Sequence, residues 1–188
     1  MALIAARCSL LIFDASTGDK VDAVEANIPA VASFSGAEPV TLAQVFSDLV
    51  RCETRLYNAL NETLRRKHGI VASQFEFLRY LRDHPGSRVA DLAEFFAIGV
   101  GAASKGVGRL EARAWIRRVP NPADGRSLLL ELTPQGAELV GDAEGTFQEH
   151  LATHIGRSIA PARVAELGQT LQRLRATLEY GGVGTPVG

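Results

Sequence analysis

Basic side chains recur at helical spacing in the middle of the chain. Lys105, Arg109 and Arg113 lie four residues apart, so on a helix they would form one cationic stripe. Short side chains precede the stripe, at Gly101, Ala102 and Ser104. A helix that enters the major groove needs short residues near the base edges and donors that reach guanine or phosphate. The pattern predicts a DNA-reading helix; a solvated lysine beside small packing residues is the alternative.

Arg126 follows a cluster of turn-forming residues at 120–125 and is expected at the tip of a β-hairpin. A narrow minor groove concentrates negative potential and favours an inserted arginine. Asp124 stands two residues earlier and is expected to hold the turn or the Arg126 side chain. The alternative is a local Asp–Arg pair with no role in DNA binding.

Three further arginines are candidates for phosphate contacts. Arg117 and Arg118 are adjacent on a predicted strand and therefore point to opposite faces, so one of them is expected to contact phosphate. Arg88 lies near the start of a predicted helix, where backbone N–H groups favour anions. It is a candidate backbone clamp, and a plain solvated arginine is the equal alternative.

The elements that must position these residues follow from the periodicity. Apolar spacing predicts short helices over about 73–84, 88–97 and 100–113, with a capping box formed by Ser73 and Glu76 at the first of them. The period then changes to that of strands. The two predicted strands are 115–119 and 127–132, on either side of the turn cluster. A helix pair followed by a basic hairpin is typical of a winged helix-turn-helix, so the expected fold is mainly α with a small β-hairpin wing.

The predicted recognition helix is unusually rich in glycine. Gly101, Gly106 and Gly108 fall inside it, and Gly99 stands where a Ser or Thr cap is more usual. Each internal glycine costs roughly 1 kcal/mol relative to alanine. The affinity for DNA is therefore expected to depend on ordering of this helix by the duplex.

Longer helices flank this unit. One is predicted from Thr41 to about Arg66, with a capping box between Thr41 and Gln44. Two more are predicted at 134–156 and 161–179, and the last carries apolar residues spaced 3, 4, 3, 4 in a narrow, coiled-coil-like seam. Residues 1–38 show no sustained period and are expected to form an irregular extension; 181–188 is expected to be a flexible tail.

Composition narrows the class of protein. The 188 residues are 46% hydrophobic and carry a net charge of −1, but the segment 65–135 has 12 Lys and Arg against 7 Asp and Glu. Apolar runs are shorter than the roughly 20 residues a membrane span needs. A secretory signal is not expected, because the start lacks a basic region before a long apolar block. The two cysteines, Cys8 and Cys52, are far apart, which fits a reducing cytoplasm.

The segments LAEFFAIGVGAASKGVGRLEARAWIRR and NPADGRSLLLELTPQG resemble the MarR (multiple-antibiotic-resistance regulator) family of transcription factors. The resemblance covers residues 39–180 in element order and is close in motif between about 88 and 136. It implies a DNA-binding lobe at about 70–133 and dimerisation helices at about 41–67, 134–156 and 161–179. It also implies a homodimer on palindromic double-stranded DNA, released by a small ligand or oxidant, and it places Gly101, Ala102, Ser104, Lys105 and Arg126 near DNA.

Family resemblance suggests where regulatory ligands would bind. A small aromatic or lipophilic effector is expected between the dimer helices and the lobe, and its candidate lining groups are Tyr57, Phe75, Phe77, Arg79 and Trp115. The favoured alternative is that most of these residues belong to the core. Cys52 is a candidate redox sensor, with a small buried residue as the favoured alternative.

Two histidines, His150 and His154, have a spacing that can chelate metal on a helix. No acidic cluster joins them in sequence, so a polar or interface role is favoured and no metal or cofactor is expected. Phosphate-binding glycine loops and nucleophile–base pairs are also missing, which disfavours an enzyme. The expected function is a DNA-binding regulator, and the alternative is a winged-helix module that binds protein.

Overall fold

The computed structural model describes residues 39–186. They form six α-helices and one antiparallel hairpin, so the expected fold class is confirmed. The elements are α1 (Leu42–His68), α2 (Ala72–Asp83), α3 (Val89–Phe95), α4 (Val100–Ala112), β1 (Ile116–Asn121), β2 (Asp124–Leu132), α5 (Pro134–Leu151) and α6 (Pro161–Tyr180). The predicted extension at 1–38 lies outside the described residues.

Helix α1 begins and ends as its sequence indicates. Gln44 Oε1 accepts from the Thr41 backbone N–H at 2.8 Å, and Thr41 Oγ1 accepts from the Gln44 N–H at 3.2 Å. The two bonds satisfy donors that the first turn leaves unpaired. Gly69 ends the helix with φ 68°, a left-handed conformation that glycine adopts without a Cβ penalty.

The start of α2 differs from the prediction. The expected capping box between Ser73 and Glu76 is wrong, because the helix already begins at Ala72. Ala72 is fully buried, and its backbone N–H donates to Asn61 Oδ1 of α1 at 3.0 Å. Gln74 Oε1 accepts from the Val71 N–H at 3.0 Å. A contact with a distant helix therefore caps α2 in place of a local hydroxyl.

A single core joins α2 to the helix pair and the hairpin. Phe75 and Leu78 of α2, Leu92 of α3 and Leu110 of α4 are fully buried, with Leu130 of β2 against them. The hairpin pairs residue 116 with 132 and residue 119 with 129, and its register shifts between residues 120 and 121. The Leu130 N–H also donates to the Ser87 carbonyl at 2.8 Å, which ties the wing to the residues before α3.

Helix α5 begins directly after strand β2 of the wing. Thr133 caps it by accepting from the Gly136 N–H at 3.0 Å, and Pro134 occupies the first turn, as predicted. The predicted α-helix over 134–156 is too long. Regular α geometry ends at Leu151, and residues Ala152–Gly156 form a π-helical turn.

Two apolar surfaces are left uncovered. Helix α6 contributes no buried residue to the described part of the chain, and its seam residues are 37–45% exposed. They are Val164, Leu167, Leu171, Leu174 and Leu178. The N-terminal half of α1 also exposes large apolar side chains, Leu42, Val45, Phe46 and Leu49. Between residues 39 and 186 no helix is long and apolar enough to cross a membrane.

Candidate DNA interface

Helix α4 has one buried and one exposed face. Ala103, Val107 and Leu110 are fully buried, at the spacing of one side of a helix. The residues predicted to face DNA lie on the exposed side: Gly101, Ala102, Ser104, Lys105 and Arg109. Because α4 is anchored by its apolar face, its short and cationic residues are presented to solvent.

Glycine lets α4 approach α2 closely. A Cβ built on Gly106 would stand 2.6 Å from the Phe77 ring, whose own exposure is 6%. Phe77 packs on Phe96 with ring centroids 5.1 Å apart. The absence of a side chain at Gly106 therefore determines how closely α4 packs against α2.

The predicted cationic stripe of Lys105, Arg109 and Arg113 has only its first two residues on α4. Lys105 and Arg109 have no carboxylate within ion-pair distance among residues 39–186. Arg113 lies just past the helix end, and its guanidinium carbon stands 5.4 Å from the Trp115 ring centroid. This cation–π contact holds Arg113 against the wing base. Two free cations remain on the helix itself.

The wing tip is built by local hydrogen bonds. Asp124 Oδ1 accepts from the Arg126 backbone N–H at 3.0 Å, and Asn121 Oδ1 accepts from the Ala123 N–H at 3.0 Å. Asn121 Nδ2 donates to Ser127 Oγ at 2.8 Å across the hairpin. Asp124 thus holds the turn, one of the two roles expected for it. The Arg126 side chain is exposed and has no ion pair within the described chain.

Three arginines are paired with carboxylates that sequence reasoning missed. Arg88 meets Asp91 at 3.0 Å, Arg117 meets Glu131 at 2.7 Å, and Arg118 meets Glu111 at 3.1 Å. The hydrogen bond from Arg88 also lowers the pKa of Asp91, in spite of partial burial. The i, i+3 spacing of Arg88 and Asp91 could have revealed the first pair. The other two depend on how β1 meets β2 and α4.

The residues proposed to line an effector site have different surroundings. Phe75, Phe77 and Trp115 belong to the core, and Phe75 packs on Phe147 at 5.3 Å between centroids. Tyr57 and Arg79 are half-buried. The Arg79 guanidinium carbon lies 4.9 Å from the Phe147 ring centroid. Arg79 is therefore the one charged group in this set, and it lies where α2 faces α5.

The remaining candidates lie in the helices outside the lobe. The rings of His150 and His154 are 4.4 Å apart, and His150 Nε2 donates to the Leu56 carbonyl at 3.1 Å. Burial, and then the neighbouring His154, lower the pKa of His150. In the described range no group of three or more His, Cys, Asp or Glu side chains could hold a metal. Cys52 is an exposed thiol on α1.

Comparison with known proteins shows which family this geometry is similar to. The model of the MarR family matches residues 68–127, which run from the end of α1 to the wing. The multiple antibiotic resistance protein MarR of Salmonella typhimurium is 29% identical over 105 residues, covering 56% of this chain and 73% of that protein.

Solved structures agree in fold. A cysteine-to-serine variant of Escherichia coli MarR complexed with operator DNA is 25% identical, with a TM-score of 0.62 over 72% of this chain and 99% of that one. BpsR of Bordetella bronchiseptica, whose DNA binding is regulated by 6-hydroxynicotinic acid, is 26% identical, with a TM-score of 0.64 over 73% of this chain and 98% of that one. Over its DNA-binding lobe the chain is similar to the MarR family of winged helix-turn-helix transcriptional regulators, and it is a DNA-binding regulator.

Proposed function

We propose that the protein is a cytoplasmic, ligand-responsive repressor that binds a palindromic operator as a homodimer, and that it is not an enzyme. The observation that carries the proposal is the set of cations without carboxylate partners in the described chain, Lys105 and Arg109 on α4 and Arg126 on the wing. Cations at these places suit the major groove and the narrow minor groove respectively.

Within the proposed interface the residues have different tasks. Gly101, Ala102 and Ser104 let α4 approach the base edges, while Lys105 and Arg109 reach guanine or phosphate. Arg126 enters the minor groove. Arg88 and one of the two strand arginines, Arg117 or Arg118, contact phosphate while their carboxylate partners fix their orientation, because a guanidinium has five N–H donors and can serve both.

The uncovered apolar surfaces support the homodimer. The α6 seam and the N-terminal half of α1 expose side chains that lose contact with water when a second copy packs against them. Two recognition helices would then meet major grooves about one helical turn, roughly 34 Å, apart.

The proposed response to a ligand follows from thermodynamic coupling between effector binding and operator binding. An effector that binds best to a dimer whose lobes are wrongly spaced lowers operator affinity. An aromatic acid would suit the half-buried Arg79 and the neighbouring Phe147 ring where α2 faces α5. BpsR, a structural neighbour, is regulated by such a molecule.

Selection of bound duplexes from a random pool tests the proposal. A palindromic consensus is expected, and recovery of no preferred duplex would contradict it. A salt titration on the selected duplex should show steep loss of affinity as salt rises, and Lys105→Ala should reduce the slope of log K against log salt by about 1. The alternative of a protein-binding module predicts no such slope, and the relationship to operator-binding MarR argues against it.

A further inference from the structure

A charged cluster lies where the DNA-binding lobe (residues 72–132) meets α5. Glu144 of α5 faces two arginines of α2. Arg82 Nη1 donates to Glu144 Oε2 at 3.0 Å, and Arg79 Nε lies 3.5 Å from the same oxygen. Gln148 Nε2 donates to the other oxygen, Glu144 Oε1, at 2.9 Å. We call Glu144, Arg79 and Arg82 the α2–α5 clamp.

The clamp is charged and only partly satisfied. Burial opposes ionisation of Glu144, but hydrogen bonds from Gln148 and Arg82 and the charges of both arginines hold its pKa below the ordinary value. Arg79 Nε is buried and has no hydrogen-bond partner within residues 39–186. Arg79 is held by the charge of Glu144 and the face of the Phe147 ring. The one α5 carboxylate of the cluster is therefore shared by two guanidinium groups, and Arg82 also donates to the neighbouring Asp83 Oδ1 at 2.8 Å.

The lobe meets α5 at two levels. At the helix start, Gly136 packs against the Trp115 carbonyl, and Thr133 Oγ1 donates to the Ala114 carbonyl at 2.7 Å. The clamp lies eight residues after Gly136, about 12 Å along the helix. Val140 and Ala143 of α5 are buried in the core of the lobe between these two levels, and the clamp adds a charged contact further along the helix.

The hydrogen bonds of the clamp depend on orientation more strongly than the neighbouring apolar contact between α2 and α5 does. Phe75 and Phe147 also join α2 to α5, with centroids 5.3 Å apart. Apolar contacts tolerate sliding because the hydrophobic effect is non-directional. A charge-assisted hydrogen bond weakens as its angle and length depart from the optimum. The bonds of Glu144 therefore add an orientation-dependent resistance to small rotations of the lobe, beyond that of the packed core.

We infer that Glu144 is a positioning residue that fixes the orientation of the lobe on α5 and so selects the half-site spacing that the dimer accepts. The inference rests on the proposed dimeric operator binding. One inserted base pair moves a half-site by about 3.4 Å and about 34° around the duplex. A lobe held at one angle cannot bind the displaced half-site, whereas a lobe that can rotate binds it.

The decisive variant is Glu144→Gln, and the matched control is Glu149→Gln. Glu149 lies on the same helix and pairs with Lys67 of α1 at 3.2 Å, so its loss leaves the lobe contacts intact. The probes are the duplex selected by the wild-type protein and the same duplex with one base pair inserted between half-sites. Wild-type protein and E149Q should bind the lengthened duplex at least about tenfold more weakly, and E144Q less than about threefold more weakly. Equal discrimination by E144Q and wild type would overturn the inference.

A double-variant cycle separates positioning from general weakening. Arg82→Gln should reproduce part of the loss of spacing discrimination, and the E144Q/R82Q pair should lose no more than E144Q alone, because Arg82 acts through Glu144. Additive losses would contradict the clamp. If E144Q fails to fold, R82Q carries the same test, since Arg82 is 35% exposed and its loss removes only one arm.

A distance measurement tests the clamp without DNA. Spin labels at Ala123→Cys on the wing, in full-length protein with Cys8→Ser and Cys52→Ser, report the separation of the two wings of a dimer. E144Q should broaden the distance distribution, and E149Q should not. A distribution as narrow as that of the wild type would overturn the inference. Failure of the wild type to prefer any duplex would instead contradict the proposed operator binding, while the distance distribution still tests the clamp.

Discussion

The Asp124 carboxylate accepts a hydrogen bond from the Arg126 backbone N–H at 3.0 Å, which fixes the wing turn while the guanidinium stays exposed. The aspartate thus supports the backbone from which Arg126 projects. We expect Arg126→Ala to weaken operator binding about tenfold, equivalent to about 1.4 kcal/mol, because a minor-groove cation is lost. Gel-shift titration on the selected duplex measures this.

The matched control for Arg126 is Arg163→Ala. Arg163 is an exposed arginine on α6 that pairs with Glu166 and lies outside the proposed interface. Both variants should unfold at the temperature of the wild type, since surface substitutions change stability by less than about 0.5 kcal/mol. An Arg126→Ala protein with wild-type affinity would remove the wing from the proposed interface.

Gly106 and Gly108 of α4 should respond oppositely to alanine. A Cβ at Gly106 meets the Phe77 ring at 2.6 Å, and Phe77 is held by Phe96, so Gly106→Ala should destabilise the protein by about 1–3 kcal/mol. A Cβ at Gly108 meets nothing within 4 Å, so Gly108→Ala should stabilise it by up to about 1 kcal/mol. Urea denaturation at one fixed protein concentration checks both, and effects of the same sign would contradict this packing.

Gly136 should not tolerate a side chain. A Cβ there would overlap the Trp115 carbonyl oxygen, which belongs to the backbone and cannot rotate away. Gly136→Ala should therefore cost about 3 kcal/mol or more, or abolish folding, because the wing base and α5 must separate. Gly141→Ala on the same helix is the control, since its Cβ meets nothing within 4 Å. Comparable thermal stability of the two variants would refute the close approach.

His150 should make stability fall in mild acid. Burial and His154 lower its pKa from the ordinary 6.5, so the unfolded chain binds a proton more readily than the folded one. The contribution of neutral His150 to stability is therefore complete above about pH 6.5 and is lost as the pH falls from there through the lowered value. His150→Gln retains a donor for the Leu56 carbonyl and should flatten the profile.

Urea unfolding between pH 7.5 and 5 measures this dependence at constant protein concentration, because dimerisation would otherwise alter it. Asp83, Asp91 and Glu144 also have lowered pKa values, but they titrate at more acidic pH. A glutamine variant with the same slope as the wild type over this range would show that other groups cause the loss.

The amino-acid sequence by itself determined the local elements. The caps at Thr41 and Thr133, the αL ending at Gly69 and the apolar period of α4 all depend on residues within a few positions of each other. Such interactions join residues that are close in sequence, so their patterns can be recognised without knowing the tertiary structure. The order of helices and strands, and the DNA-binding class that they imply, could therefore be predicted.

Only the tertiary structure decided which charges are free and which are held. Arg118 meets Glu111 of another element, Glu144 joins two arginines more than sixty positions away, and Asn61 caps a helix that Ser73 was expected to cap. These partners are chosen by how packed elements approach each other, which periodicity does not encode. Packing brings the carboxylates of other elements to Arg117 and Arg118, and so the interface has fewer free cations than the sequence shows.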